Sequence, residues 1–590
     1  MTDSLERHQV FPESALPDPE ALIAEARETA RTITVGSSPF LSTYKVGCEI
    51  EYKRRCTAER RIMMHAQIGF RGLDKSRRAW AEIWQALDKA GHRVDRYGIC
   101  LDWSMGYPSA QRKDMPRGTG LIMANLDEWR ALTGMAPVAP HFGDFVIGTP
   151  AAFENTIAAL LAGSTSVGNL GQYFAFRQPH WDDDIFTTAE SLKAIALTAA
   201  QPVPVIVHSS LDDGFASMFT DLACSLGAIL LEQYIVDDLL GGHSSYSYGN
   251  TYARPDLRLA FQRAAQKVTR TPGTMIYGAT TMYGPNHAEN YAALATYLRV
   301  DIYGERTRPA GHAVNPTPVT EAERIPDIDE IIDVHMFANR LAALEASLDE
   351  LAREDAVDAL AERIVEGGRQ FRANVLAGFE AAGIDIGNPF EMLLAIRRIG
   401  SKRLETLFGP GEPAPKRLRG RIPIARSYSI EQLEQDGEGL VGQLARTERE
   451  HIARARLKGC VATTDVHEYG KILVESVLRQ LDVEIVDGGI STDPNDLVEQ
   501  AVTNGADFIA LSSYNGVALQ FFTQLRGELA ARNSSLPVFI GGKLNRIPEG
   551  SNTSLPLDVS EELALAGATV CKSVDSMVAA LGEIARSRRP

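Results

Sequence analysis

The residues best placed to do chemistry are Asp465-Val466-His467-Glu468-Tyr469-Gly470, directly after the apolar run Gly459-Cys460-Val461-Ala462-Thr463-Thr464. The run reads as a buried strand, and the hexapeptide as the loop between it and a helix over 471–481. A histidine at the carboxyl end of a parallel strand can offer one ring nitrogen to a metal. Its other nitrogen then donates to a neighbouring carboxylate, which fixes the ring and raises its basicity. Asp465, two residues before His467, can be that carboxylate, and Gly470 lets a bulky ligand approach the backbone closely. Alone, D-x-H-x-x-G also suits a capping aspartate and an ordinary loop histidine, so the surrounding elements must decide.

Strand and helix patterns alternate through 457–590, with strands over 459–464, 483–487, 508–512, 537–540 and 569–572. Five strands with intervening helices predict a flavodoxin-like (Rossmann-type) doubly wound domain. In such sheets a ligand sits at the carboxyl ends of the strands, beside the point where strand order reverses. Three of those ends carry unusual residues. The first has Asp465, His467 and Gly470, the third has Ser512-Ser513-Tyr514-Asn515-Gly516, and the fourth has Gly541-Gly542-Lys543-Leu544. Small hydroxyls and paired glycines leave a slot in which a long flat group can lie against backbone.

D-x-H-x-x-G, a serine pair 42 residues after the glycine, and Gly-Gly after the next strand together resemble the cobalamin-binding domain of mutases and methyltransferases. The whole of 457–590 resembles the small subunit of the glutamate mutase (methylaspartate mutase) family. The resemblance implies that His467 is the lower ligand of cobalt, oriented by Asp465, and that Ser512 holds the displaced dimethylbenzimidazole. It also implies that Gly541 and Gly542 line the slot for the nucleotide tail. The family's Ser-x-Leu reads Ser512-Ser513-Tyr514 here, with Tyr514 expected against that tail.

From 62 to about 305, apolar runs alternate with helical patterns. The runs lie at 62–68, 97–103, 142–147, 167–176, 203–208, 227–233, 274–279 and 298–303. Eight such units predict a (β/α)₈ TIM barrel, with an open doubly wound sheet as the competing arrangement. This segment, extended to about 400, resembles the large subunit of the same family in three stretches. Ala66-Gln67-Ile68-Gly69-Phe70-Arg71-Gly72 implies a carboxylate-binding role for Arg71. His208-Ser209-Ser210-Leu211-Asp212 resembles the family's His-Gly-Thr-x-Asp and sets His208 at the substrate. Gly241-Gly242-His243-Ser244-Ser245-Tyr246 resembles Gly-Gly-Gly-x-Ser-Tyr and proposes Tyr246 as a substrate-side hydrogen bonder. His243, Tyr283, Glu305 and His312 are further candidates by position, the loop with Glu305 and His312 being expected after the eighth strand.

Departures bear on the substrate. The family grips two carboxylates with arginines, yet Val207 precedes His208, Asp102-Trp103-Ser104-Met105 occupies the second-strand loop, and Leu240 replaces a glutamate. A bidentate arginine–carboxylate contact contributes about 1.5–3 kcal/mol. Losing two weakens binding by on the order of 10²–10⁴-fold. The expected substrate is therefore a carboxylic or amino acid other than free glutamate. Arg117, Arg177, Arg306 and Arg308 are the candidate replacement arginines.

A chain of 590 residues predicts two to four domains. The divisions expected are an N-terminal arm at 1–60, the barrel with its following helices at 61–400, a linker and helix at 401–456, and the cobalamin domain at 457–590. The Pro/Gly/Arg-rich stretch 407–421 reads as an extended linker. An arm of this kind suits a partner subunit, and a homodimer is expected. A formal charge of −16 argues against nucleic-acid or anionic-membrane partners. Six scattered cysteines suggest neither a zinc site nor a disulfide framework, and with no apolar signal core a cytoplasmic location is expected. Together these features imply an adenosylcobalamin-dependent radical mutase. Corrinoid methyl transfer, a cobalamin carrier or sensor, and a pyridoxal-phosphate aminomutase are the rival classes.

Overall fold

A computed structural model describes residues 5–212, 214–345, 354–415, 417 and 419–587. Residues 1–4 of the expected arm, 346–350 of a predicted helix over 327–350, Lys416 and Leu418 of the linker, and 588–590 lie outside them. The chain divides into two compact units. Unit 1 is Met1–Ala175 with Asp183–Ser427, and unit 2 is Tyr428–Pro590 with the short segment Phe176–Asp182.

Unit 1 contains β1 (Met63–Ile68), β2 (Arg96–Ile99), β3 (Ala139–His141), β4 (Ser166–Gly168), β5 (Ile206–Ser210), β6 (His243–Ser247), β7 (Met275–Ile276) and β8 (Ala313–Val314). They pair in parallel as two sheets, β3-β2-β1-β8-β7 and β4-β5-β6. Single parallel bridges, Phe142 to Val167 and Tyr248 to Ile276, link the two at both ends. Helices cover the strands with apolar stripes at helical spacing. Leu73–Lys89 buries Ser76, Ala79, Trp80, Ile83 and Leu87, and the Trp80 ring packs edge-on against Tyr97 of β2 at 4.8 Å. Helices Pro255–Val268 and His287–Thr307 are tied by a fully buried ion pair, Arg258 to Asp301, at 2.6 and 2.7 Å. The first sixty residues are built into this unit. Lys53 is buried and donates to the carbonyls of Thr274 and Gly311 at 3.0 Å, and Glu49 pairs with Arg96 at 2.8 Å.

Several predicted elements are corrected. The run 227–233 is helix, Leu222–Gln233, all twelve of its residues buried. A helix buried on every side has no amphipathic stripe, so a short window of it is indistinguishable from a buried strand. Residues 298–303 continue the helix His287–Thr307, and the eighth strand is Ala313–Val314. The third strand precedes 142–147, and the sixth is His243–Ser247 itself, so Gly241-Gly242 leads into a strand and does not follow one. The stretch 407–421 does not run free: Pro413 bridges Arg421, whose guanidinium donates to the carbonyls of Thr406, Leu407 and Gly411. The helix expected over 430–456 is two, Tyr428–Gln443 and Arg446–Ala455.

Unit 2 is a five-stranded parallel sheet, β10-β9-β11-β12-β15. Its strands are β9 (Lys458–Thr463), β10 (Glu484–Asp487), β11 (Phe508–Ser513), β12 (Val538–Gly542) and β15 (Thr569–Cys571), with a small antiparallel pair β13 (Asn545–Arg546) and β14 (Leu557–Asp558) inserted after β12. The pleat sorts residues to two cores. Cys460, Ala462, Ile509 and Leu511 join one cluster, and Val461, Phe508 and Ala510 join the other. Both faces are thus buried beneath helices, which is why these strands read as unbroken apolar runs. Among the described residues no helix is long and apolar enough to cross a membrane.

Candidate functional site

In unit 2 the first strand β9 lies between β10 and β11, so the chain reverses its direction of sheet growth between β9 and β11. That reversal opens a crevice at the carboxyl ends of these two strands. Register puts Thr463, Ser512 and Gly541 in one row across β9, β11 and β12, with Ser513 beside Gly542. The three strand ends singled out in the sequence are therefore neighbours in space.

Asp465 is 1% exposed and its carboxylate is fully engaged. One oxygen accepts the ring Nδ1 of His467 at 2.6 Å and the backbone N–H of the same residue at 3.0 Å. The other accepts the backbone N–H groups of Tyr514 at 2.8 Å and Asn515 at 3.2 Å, with the Thr464 hydroxyl at 3.3 Å. Burial alone would push this carboxyl up. The His467 hydrogen bond and charge, with the backbone donors, outweigh it and hold Asp465 below the usual carboxylate range. An ionised acceptor at Nδ1 makes that nitrogen the N–H donor and leaves the lone pair on Nε2, the form of imidazole that binds a metal. The His467 side chain is 33% exposed, so the ring is held at its base and open at its rim.

Tyr514 stacks at a tilt on the His467 ring, centroids 4.5 Å apart, and the Lys543 ammonium sits 4.3 Å from the Tyr514 ring centre. Tyr514 thus packs on the imidazole. Gly470 lies in the first turn of helix Tyr469–Gln480, where an added Cβ would collide with the Ser512 hydroxyl. Gly516 and Gly542 have φ of +75° and +94°. A Cβ at Gly541 would lie 2.9 Å from the Cys571 carbonyl oxygen, and one at Gly542 would run into the Ser513 carbonyl. Gly542→Ala is expected to destabilise unit 2 by about 1–3 kcal/mol from backbone strain alone. Urea denaturation would read this, and an unchanged midpoint would refute it.

The sequence reading missed Thr464, Ser513 and Lys543. Thr464 donates its backbone N–H to the Ser512 carbonyl at 2.9 Å and its hydroxyl meets that of Ser513 at 2.8 Å, sewing β9 to β11 at the crevice floor. Its place beside Asp465 was a visible signal. The position of Lys543 over Tyr514 was not, because it depends on the turn after β12.

In unit 1 the predicted residues separate. Arg71 is half-buried in the loop after β1. His208 is fully buried inside β5, with Nδ1 3.1 Å from the Thr274 hydroxyl. Tyr246 lies within β6 in register with Ser209, one residue on from His208 and so on the opposite face, and its hydroxyl donates to the Ile229 carbonyl at 3.1 Å. It packs under helix Leu222–Gln233, away from the face that carries His208, because a strand alternates its side chains. Glu305 lies within a helix and accepts from Gln262 at 2.6 Å and from the backbone of Ala310 and Gly311, holding the chain that enters β8. His312, 4% exposed, has Nδ1 3.4 Å from Glu305, while His243 is half-buried at the start of β6. Tyr283 donates to the Thr317 carbonyl at 2.8 Å. Arg308 is paired with Glu354 and Asp358, Arg306 lies over the Tyr303 ring, and Arg117 is exposed, while Arg177 lies in unit 2 and pairs there with Asp182 and Asp493.

The donor set at the β9–β11 crevice fits a corrinoid: an imidazole with its lone pair directed away from a saturated carboxylate, and glycines where a flat group needs backbone clearance. Residues 457–551 match the B12 binding domain family. A similar solved structure is a cobalamin-binding protein from Desulfitobacterium hafniense, at 18% identity over 27% of this chain and 80% of that one, with a TM-score of 0.19. Unit 2 therefore carries a cobalamin-binding domain, with Asp465 and His467 at its strand-end crevice.

Proposed function

We propose that this protein is an adenosylcobalamin-dependent carbon-skeleton mutase of the glutamate mutase type, acting on a small carboxylic or amino acid other than free glutamate. The observation that carries it is the buried Asp465–His467 pair at the sheet's reversal point, with Ser512 and Gly470 in contact distance beside it. The eight parallel strands of unit 1, linked at both sheet ends by single bridges, support a (β/α)₈ barrel as the substrate-binding unit. When bound, adenosylcobalamin supplies a carbon radical that abstracts and returns a substrate hydrogen.

The chain's own residues bind and position. Asp465 keeps the Nδ1 proton on His467 and fixes the ring plane, so that Nε2 is the nitrogen offered to cobalt. Ser512 offers a hydroxyl to the nucleotide tail, and Gly541 and Gly542 give that tail backbone clearance. In unit 1, Arg71 is the arginine proposed for a substrate carboxylate, with His208 deeper in the same unit. Tyr246 leaves the proposed substrate set, since its hydroxyl is committed to a helix carbonyl.

The test is reconstitution with adenosylcobalamin and screening of acids and amino acids. A substrate-dependent cob(II)alamin signal with 5′-deoxyadenosine formation is expected. Methyl transfer without either would replace the mutase reading by corrinoid methyl transfer.

A further inference from the structure

The Asp465–His467 pair has a third member. Tyr514 donates its backbone N–H to Asp465 at 2.8 Å, and its ring lies on the His467 ring at a tilt of 34°, centroids 4.5 Å apart. Asp465 in turn holds His467 by the ring Nδ1 and by the backbone N–H. Each of the three residues therefore touches the other two, with Tyr514 reaching the pair from the end of the neighbouring strand β11. The tyrosine ring is itself fastened. The Lys543 ammonium lies 4.3 Å from its centre and donates to its hydroxyl at 3.3 Å. The Lys543 backbone N–H donates to the Ser513 carbonyl at 2.8 Å, which anchors the lysine beside the tyrosine. A chain of contacts thus runs from Lys543 through Tyr514 to His467, rooted at the ends of β12, β11 and β9.

Core packing does not account for this ring. Tyr514 is 45% exposed, so much of its apolar surface stays in water and its burial contributes little to folding. What the ring does supply is a flat wall. Rotation of a histidine about χ2 is broad and weakly restrained by the side chain itself. A hydrogen bond at Nδ1 fixes one point of an imidazole and leaves its plane to turn about that point. An aromatic ring laid on the imidazole face stops the turning, and groups that orient a metal ligand tune the metal through it.

We propose that Tyr514, held by Lys543, is a positioning residue for His467: it fixes the plane of the imidazole and so the direction in which Nε2 is offered to cobalt. This rests on the reading of His467 as the cobalt ligand, and adds to it a restraint on the ring plane besides the Asp465 bond. A leucine, as in the family's Ser-x-Leu, has no flat face to lay on the ring.

The experiment loads the full chain, unlabelled or ¹⁵N-histidine-labelled, with cobalamin and reduces it to the cobalt(II) form. The nitrogen hyperfine pattern and the cobalamin affinity are then compared for Tyr514→Phe, Tyr514→Leu and Lys543→Met. Tyr514→Phe keeps the ring and is expected to retain a sharp, label-sensitive pattern. Tyr514→Leu removes the wall. Its pattern is expected to blur as the imidazole plane spreads over several orientations, with affinity lower by about threefold to tenfold. Lys543→Met is expected to fall between the two, and it supplies the reading should the leucine variant fail to fold. Pattern and affinity unchanged in Tyr514→Leu, or in Lys543→Met where that variant stands in for it, overturn the positioning role and leave His467 as the ligand. A phenylalanine variant as impaired as the leucine one also overturns it, since the hydroxyl and not the ring face would then be the working part. A pattern in the unsubstituted protein that is insensitive to the ¹⁵N label removes the ligand reading itself, and the positioning role with it.

Discussion

His467→Ala is expected to abolish nitrogen ligation of cobalt by the protein. Among the described residues the ring is the imidazole at the crevice end of β9, and its Nδ1 bond to Asp465 at 2.6 Å leaves Nε2 as the nitrogen that would be offered to a metal. Deleting it would remove the nitrogen donor proposed for cobalt. Asp465→Asn keeps the shape but removes the charge that holds the Nδ1 proton, and changes to such supporting partners cost about 10–100-fold in affinity. The alanine variant should lose at least as much. The measurement is the absorption spectrum of bound cobalamin together with the nitrogen hyperfine pattern of its cobalt(II) form, compared between natural-abundance and ¹⁵N-histidine-labelled protein. An alanine variant with unchanged spectrum and affinity would remove His467 from ligation and with it the assigned geometry of the crevice.

The second large effect is expected in unit 1. Glu232, in helix Leu222–Gln233, is 1% exposed, with the Ser209 hydroxyl as a hydrogen-bonding neighbour of its carboxyl. Burial pushes its carboxyl up to about 8 from an ordinary value of 4.5. The folded protein therefore keeps a proton there that the unfolded chain releases above pH 4.5. Stability contributed by this group is complete below that pH and falls as pH rises toward about 8, by about 1.4 kcal/mol per pH unit. Across the window the loss is on the order of 5 kcal/mol. Glu232→Met removes the titration and fills the same volume, so it should be the more stable form at pH 8 and lose most of that advantage by pH 4.5. Denaturant unfolding of both proteins across this range reads the difference directly. A gap that does not change with pH would place the carboxyl in contact with water or a partner.

Much of unit 2 was legible in the chain. Its strands alternate between two buried cores, so the apolar runs at 459–464 and 508–512 lie within one residue of β9 and β11 at each end. Asp465 and His467 could be paired from their spacing alone, because an aspartate two residues before a histidine reaches both its backbone N–H and its ring. What the crevice needed from further away was not visible. The backbone N–H groups of Tyr514 and Asn515 that saturate Asp465 come from 49 and 50 residues on, and only the β9–β11 pairing brings them there. The Tyr514 ring lies on His467, a contact that the same pairing makes possible.

Unit 1 was less legible for a definite reason. Its helix Leu222–Gln233 is covered on every side, and Gly227 in it has no room for a Cβ because Phe371 packs there. Such a segment has neither helical nor strand periodicity, so a short window of it matches a buried strand as well as a helix. The same error displaced the sixth strand and set Tyr246 after a strand, where it lies within one.

The chain by itself determined the local chemistry: a histidine and an aspartate two residues apart at a strand end, glycines where backbone must be approached, and strands long enough to stack in parallel. Only the tertiary structure decided which faces those residues present and which distant groups meet them. Side-chain direction in a strand reverses with every residue, so a shift of one position exchanges core for ligand face. Partners from remote strands are set by pairing order, which no local pattern encodes.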